Sequence, residues 1–414
     1  MRAQLAFCSI LVLCLAGTAL AGTQTVVPTT TLAAETGNNT SAASSFTSQT
    51  NGNLAAGNIS KMPMTGLLYS GTNTPVYAHF MGWFGQSNHM NVGYTSSDPA
   101  QVQRQVTDAL SRGLSGFILD WYGPNNAMPN NTALALMNEA QSRNGAFSFG
   151  LTYDGGALKT CANTSGCDLT QQAIKDLTYA YNTFETSPAY MASNGRPIVW
   201  FFDPDRYGTL NWPLIASSVP GNPLFIFRNS GGFTHTSSSG SFSWVIINTS
   251  NSLDWSQSYL DNFYNTSLGY ASELTYGTGY KGFNDSLAAW APSPPRIMSQ
   301  QCGQVWMKTL AEIGNYFSPT NQLDAIQLVT WNDYEEGSEL ETGIYNCVSV
   351  SAALSGTVLD WTVSGSLNTI DHFTVFISAD GQNLMSLGDV PASSTSFDLA
   401  SAAMAPGSYT VYVK

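Results

Sequence analysis

The stretch "AIQLVTWNDYEEGSELE", residues 325–341, decides the fold. Its first half, apolar and β-branched up to Thr330, reads as a buried strand. Trp331 and Asn332 follow, and then five carboxylates fall within nine positions: Asp333, Glu335, Glu336, Glu339 and Glu341. Charged residues make up only 10% of the chain, so this concentration is local. A strand that empties into acids suits a (β/α)8 barrel, whose working groups stand at the C-terminal ends of its strands.

Working back along the chain, seven more segments have strand character: 76–83 (VYAHFMGW), 116–123 (GFILDWYG), 147–154 (FSFGLTYD), 197–204 (PIVWFFDP), 223–230 (PLFIFRNS), 242–249 (FSWVIINT) and 273–283 (ELTYGTGYKGF). Between several of them lie amphipathic runs. The run 98–113 opens on Asp-Pro and closes on Gly113, as a capped helix does. The runs 170–184 and 301–317 behave likewise. Eight strands with intervening helices predict an α/β fold of TIM-barrel type over 63–347. An open doubly wound sheet is the alternative. It is disfavoured because no glycine-rich phosphate turn follows the first strand.

Beyond residue 347 the pattern changes to short alternating strands with turn residues and no helix. That predicts a small β-sandwich over 348–414, resembling a fibronectin type III module that ends on its final strand. At the other end, "MRAQLAFCSILVLCLAGTALAG" reads as a secretory signal peptide over 1–21 with an Ala-Leu-Ala cleavage site. Residues 22–62, rich in Ser, Thr and Asn, read as a linker. A secreted protein is therefore expected, with no membrane span.

Composition narrows the partner. Fourteen Lys+Arg against 27 Asp+Glu give a net charge of −13, which argues against nucleic acid and anionic membranes. Ten Trp, 19 Tyr and 20 Phe, with abundant hydroxyl and amide side chains, suit a neutral hydroxylated ligand such as a polysaccharide. No multimer signal is present, so a monomer is expected. Beyond the signal, four cysteines remain: Cys161, Cys167, Cys302 and Cys347. An even count in a secreted chain favours disulfides, Cys161–Cys167 closing the CANTSGC loop and Cys302–Cys347 stapling a longer one. Zinc is the competing use of these cysteines. No histidine accompanies them at ligand spacing, and no metal or cofactor is expected.

Candidate chemistry gathers at the strand ends. They carry Asp120, Trp121 and Tyr122; Tyr153 and Asp154; Asp203 and Asp205; Arg228; Asp285; and Trp331, Asp333 and Glu336. Some of these acids, Asp98 and Asp205 first among them, are expected to cap helices or hold loops. Asp333 and Glu336, three residues apart on one turn, should face the same side, with Glu335 pointing elsewhere. Glu339 and Glu341 read as solvated or cation-pairing acids. Two close carboxylates in a Trp-walled pocket push one pKa up, leaving one acid and one base. That is the division of labour for cleaving a glycosidic bond.

The segments VYAHFMGW (76–83) and LVTWNDYEEGSELE (328–341) resemble glycoside hydrolase family 71, the endo-α-1,3-glucanases or mutanases. That family opens on an A-H-F-M strand and closes on W-N-D-Y-G-E-S. The related endo-α-mannosidase family 99 carries W-N-E-W-x-E-G there. GFILDWYGP (116–124), GYKGFNDS (279–286) and the Glu336-Gly337 pair are more similar to the second type. Gly337 stands where family 71 has Ser. The resemblance covers 75–345 and implies a secreted endo-acting hydrolase of α-linked polysaccharide, α-1,3-glucan first and α-mannan second. It implies Glu336 as general acid and Asp333 as base, with His79, Trp83, Asp120, Trp121, Tyr153, Asp154, Arg228 and Trp331 lining the subsites, and needs no cofactor. A non-catalytic carbohydrate-binding protein on the same barrel is the rival reading, and both acids being present speaks against it. An esterase would need a G-x-S-x-G or paired-His motif, and neither occurs.

Overall fold

The computed structural model describes residues 67–380 and 383–414, together with the backbone of a strand at Gln24–Val26. The expected signal peptide, and the expected linker apart from that strand, lie outside the described residues.

Eight parallel strands form a closed ring. They are β1 (Val76–Met81), β2 (Gly116–Trp121), β3 (Ser148–Asp154), β4 (Arg196–Phe202), β5 (Leu224–Arg228), β6 (Gly240–Phe242), β7 (Leu274–Gly279) and β8 (Ala325–Leu328). The ladder runs β3-β2-β1-β8-β7-β6-β5-β4, and β4 pairs back onto β3, Leu151 opposite Val199 and Asp154 opposite Phe202. Closure leaves no edge in this ring. β2 is buried at every position, the near-continuous apolar run expected of a strand covered on both faces.

The helices follow their sequence signals. α1 (Pro99–Ser111) has Pro at its first turn, and the Asp98 carboxylate accepts the Ala100 N–H. α2 is Ala127–Ser142. α3 (Leu169–Ala180) is capped by Asp168 and runs into a π-helical turn at Tyr181–Glu185. Further along come α4 (Trp212–Ser218), α5 (Gln257–Ser267) and α6 (Gln304–Ile313). A 3-10 turn, Ser230–Thr234, makes the step from β5 to β6.

Two strands differ from expectation. The sixth was expected over 242–249, but pairing ends at Phe242. From there the Trp244 N–H bonds the Tyr259 hydroxyl on α5, so the chain peels away from the ring. The apolar run that suggested a strand lines a cleft instead. The seventh was expected to reach 283 but stops at Gly279. Phe283–Asn284 then pair antiparallel with Ile297–Met298, closing the neck of a long loop.

The tail forms two small antiparallel sheets. One holds β9 (Ser349–Ser355), β10 (Val358–Ser364) and β13 (Ser396–Asp398), with Gln24–Val26 paired to β9. The other holds β11 (His372–Ser378), β12 (Met385–Pro391) and β14 (Thr410–Val413). Val350, Trp361, Phe373 and Val375 form its core. Both expected disulfides are present: Cys161–Cys167 and Cys302–Cys347, with Cα–Cα separations of 5.3 and 4.9 Å. Among the described residues no helix is long and apolar enough to cross a membrane.

Candidate active site

A cleft of about 1470 Å³ opens at the C-terminal ends of the strands, and the segments that follow all eight of them contribute to its wall. Asp333 and Glu336 lie in the wall on the turn after β8. The turn is built by side chain–backbone bonds. Asp333 Oδ1 accepts the N–H groups of Glu335 (3.1 Å) and Glu336 (3.0 Å), and the Thr330 hydroxyl accepts the Asp333 N–H at 2.9 Å. This tight turn, rather than a helix, brings the two acids to one side. Glu335 points away, as expected: it is buried and bonds the His89 ring and the Met90 N–H, both at 2.9 Å.

Burial pushes both acids up. Asp333 lies well above the usual carboxylate range because it is desolvated and faces the charges of Glu336 and Glu335. Glu336 is raised by burial to about 7; the Trp290 indole N–H and the Arg296 guanidinium hold it back, while Asp285 and Asp120 push it up. Burial and mutual repulsion keep the pair from ionising fully near neutral pH.

The cleft floor is polar. The buried Gln327 amide bonds His79 Nδ1 at 3.1 Å, so the ring proton sits on Nε2, which faces Asp120 Oδ1 at 3.8 Å. Asp154 also lines the floor, raised by burial and then by the charge of Asp120; its Oδ1 accepts the Gly156 N–H at 2.5 Å. Tyr122 stands among these acids, its hydroxyl kept protonated by burial and by the charges of Asp120 and Asp154. Trp83 lines the wall and stacks on His89, centroids 4.9 Å apart. Across the cleft, Arg228 pairs with Asp203 and lies over the Phe202 ring. Asp203 (φ 45°) and Asn229 (φ 66°) both sit in left-handed backbone there. Asp205 holds its loop through the Leu210 N–H and the Trp212 indole, the structural role expected of it.

Four expected subsite residues do not line the cleft. Side chains alternate along a strand, so the neighbour of an inward-facing acid faces the helices. Trp121 is buried against Tyr179, its indole N–H bonding Asn130. The Tyr153 hydroxyl bonds Asp176 on α3 at 2.9 Å. Trp331 packs on Phe117 beneath the Arg112 guanidinium. Asp285 is fully buried and serves from behind, its two oxygens accepting the Arg296 N–H and Nε–H, both at 2.7 Å. Glu341 is likewise no solvated acid: it is buried and accepts the Tyr94 and Tyr334 hydroxyls, whereas Glu339 pairs with Lys281 at 2.9 Å as expected.

Sequence reading missed His89, Trp244, Trp290 and Arg296, all in the cleft wall. Trp290 and Arg296 come from the loop after β7. Near them the sequence offered the proline-rich APSPPR run, which marks a loop without saying where its tip will reach. Among the described residues no group of three or more His, Cys, Asp or Glu side chains is arranged to hold a metal ion.

Neither a family model nor a curated protein matches the chain. Solved structures do. Two are of the GH99 endo-alpha-mannosidase from Bacteroides thetaiotaomicron. The one in complex with bis-tris propane gives a TM-score of 0.48 at 14% identity, over 65% of this chain and 87% of that one. The other gives 0.47 at 14% identity, over 64% and 87%. The fold class stands on the closed ladder of eight parallel strands rather than on this likeness.

Proposed function

We propose that this chain is a secreted glycoside hydrolase that cleaves α-linked polysaccharide within the chain, with α-1,3-glucan as its first substrate and Glu336 and Asp333 as acid and base. The observation that carries the reading is the pair itself: two carboxylates on one turn after β8, both raised, at the wall of a cleft fed by every strand of the barrel.

The chemistry follows from that arrangement. Glu336, titrating at about 7, holds a proton in a good part of the population at neutral pH and donates it to the departing glycosidic oxygen. Asp333 works in its ionised form, which the two backbone N–H groups favour against the burial and neighbouring charges that raise it, and accepts a proton from water or from the sugar's own 2-hydroxyl as the oxocarbenium-like centre forms. Asp120, Tyr122, Asp154 and His79 supply hydroxyl partners on the floor, Trp83 and Trp244 supply faces for sugar rings, and Arg228 orients the far wall. Carboxylates suffice for this reaction, so no cofactor enters it. The paired cysteines support an oxidising, extracellular location. The chain acts as a monomer in this reading, and the tail sheets, none of whose described residues line the cleft, take no part in the chemistry.

The test is a panel of α-1,3-glucan, α-1,6-mannan and mixed α-glucans, with products followed by NMR. Activity on α-1,3-glucan is expected first. Asp333→Asn and Glu336→Gln should each lower kcat by about 10²–10⁴-fold while the chain still folds and binds the polysaccharide. A double variant with undiminished turnover would remove the assignment.

A further inference from the structure

The loop between β7 and α6 is built as a flap. The ladder of Phe283–Asn284 with Ile297–Met298 closes its neck, and buried Asp285 clamps it by gripping both the backbone and the guanidinium of Arg296. The flap is docked on the turn of the two acids: the Asn284 N–H bonds the Glu336 carbonyl at 2.7 Å. Gly337 permits this approach. Its φ is +59°, and a Cβ there would lie 3.1–3.3 Å from Asn284. The Gly337 that departs from the family 71 pattern is thus tied to the flap's seat.

Trp290 stands within the flap, 45% exposed and in the cleft wall. Its ring meets Trp83 edge-on at 6.1 Å and lies 6.1 Å from His89, closing an aromatic corner beside Glu336. Its indole N–H reaches Glu336 Oε1 at 3.4 Å, and Arg296 Nη2 lies 3.8 Å from the same oxygen. Oε2 has no partner among the described residues.

We infer that Trp290 is the platform for the sugar ring on the leaving-group side of the cleft, and that its indole N–H positions Glu336 so that Oε2 alone carries and delivers the proton. The indole N–H on Oε1, with the Arg296 guanidinium charge 3.8 Å from the same oxygen, selects it as the acceptor oxygen of the protonated carboxyl, which puts the hydrogen on Oε2. In the step itself the Oε2–H bond breaks and the proton goes to the glycosidic oxygen. The anomeric C–O electron pair stays on that oxygen, and Glu336 is left as a carboxylate whose charge on Oε1 meets the indole and guanidinium. The leaving sugar then sits against the exposed face of Trp290, ring C–H groups on the aromatic face. Trp290 is a positioning residue for the acid and a binding residue for the ligand, a pyranose of the polysaccharide. This rests on the assignment of Glu336 proposed above.

Two substitutions separate the roles. Trp290→Phe keeps a platform and removes the donor; Trp290→Ala removes both. The probe is an α-1,3-linked glucohexaose, with an α-mannan hexaose as the parallel arm. The expected result for Trp290→Phe is KM within about twofold of the parent, with the basic limb of the kcat/KM pH profile moved up by about half a unit; the 3.4 Å bond is long and its effect modest. For Trp290→Ala the same limb shift should come with KM raised about tenfold. Calorimetric binding of the hexaose to Glu336→Gln should weaken by a similar factor when Trp290→Ala is added. A basic limb that stays put in both variants overturns the hold on Oε1, and unweakened binding after Trp290→Ala overturns the platform. Continued hydrolysis by Glu336→Gln would instead remove the acid assignment and leave the calorimetry to judge the platform alone. Trp290→Leu replaces the alanine chain in every arm if the latter does not fold.

Discussion

Glu185 offers a sharp test of the electrostatics of this barrel. It ends the π-helical turn after α3, is 8% exposed, and neither carboxylate oxygen has a hydrogen-bond partner among the described residues. Burial alone pushes its pKa from 4.5 to about 8. The folded-state value lies above the unfolded one, so stability is unimpaired below about pH 4.5 and falls as pH rises through about 8. At pH 7 the folded chain must keep a proton that the unfolded chain has released. The gap between 4.5 and 7 is worth roughly 3 kcal/mol at 1.36 kcal/mol per unit. Glu185→Met keeps the shape and removes the charge. The assay is urea unfolding of both chains at pH 5 and pH 8, without reductant, followed by tryptophan fluorescence. The variant's advantage should grow by roughly 3 kcal/mol between the two pH values. Because Glu185 does not line the cleft, hydrolysis should be unchanged. An advantage of equal size at both pH values would refute the reasoning, since only a titrating carboxyl makes the difference depend on pH.

Other consequences are as direct. Turnover should fall as pH rises through about 7, because the acid form of Glu336 is lost there; a pH profile of kcat flat from 6 to 8 would count against its role. Replacing Cys302 and Cys347 by Ala should cost up to roughly 4 kcal/mol, the loop entropy of a 45-residue separation, read as a lowered melting temperature. Tyr153→Phe should lower stability by about 1–2 kcal/mol by depriving Asp176 of a donor while KM stays within about twofold; a large KM change would put Tyr153 back in contact with substrate.

What could be read in the chain beforehand was what depends on local pattern. Asp98 with Pro99 announced α1, the cysteine count and spacing announced both disulfides, and the Trp-Asn-Asp-x-x-Glu run placed its two acids in the cleft wall. What could not be read was direction and destination. Asp120 and Trp121 are adjacent and equally suggestive as letters, yet the pleat sends one to the cleft and the other to the helices. The run 242–249 is apolar like a buried strand, but whether a neighbour stands beside it is a tertiary fact. Here the Tyr259 hydroxyl took the bond. Trp290 and Arg296 belong to a loop whose path is set by a distant carbonyl and by buried Asp285; the aspartate was visible in the sequence, but not that it would turn inward to hold Arg296. Glu341 looked solvated because nothing local predicts two tyrosine hydroxyls arriving from separate segments.

The left-handed backbone at Asp203 sets heat tolerance against cleft shape. Asp tolerates a positive φ better than most side chains, so Asp203→Gly would relieve less than the roughly 1–2 kcal/mol a generic residue pays there. The same change would unpair Arg228 and free its guanidinium to swing across the far wall. Engineered hardiness at this one residue would be traded against the shape of the groove, and a screen that scores only survival on heating would not see the loss.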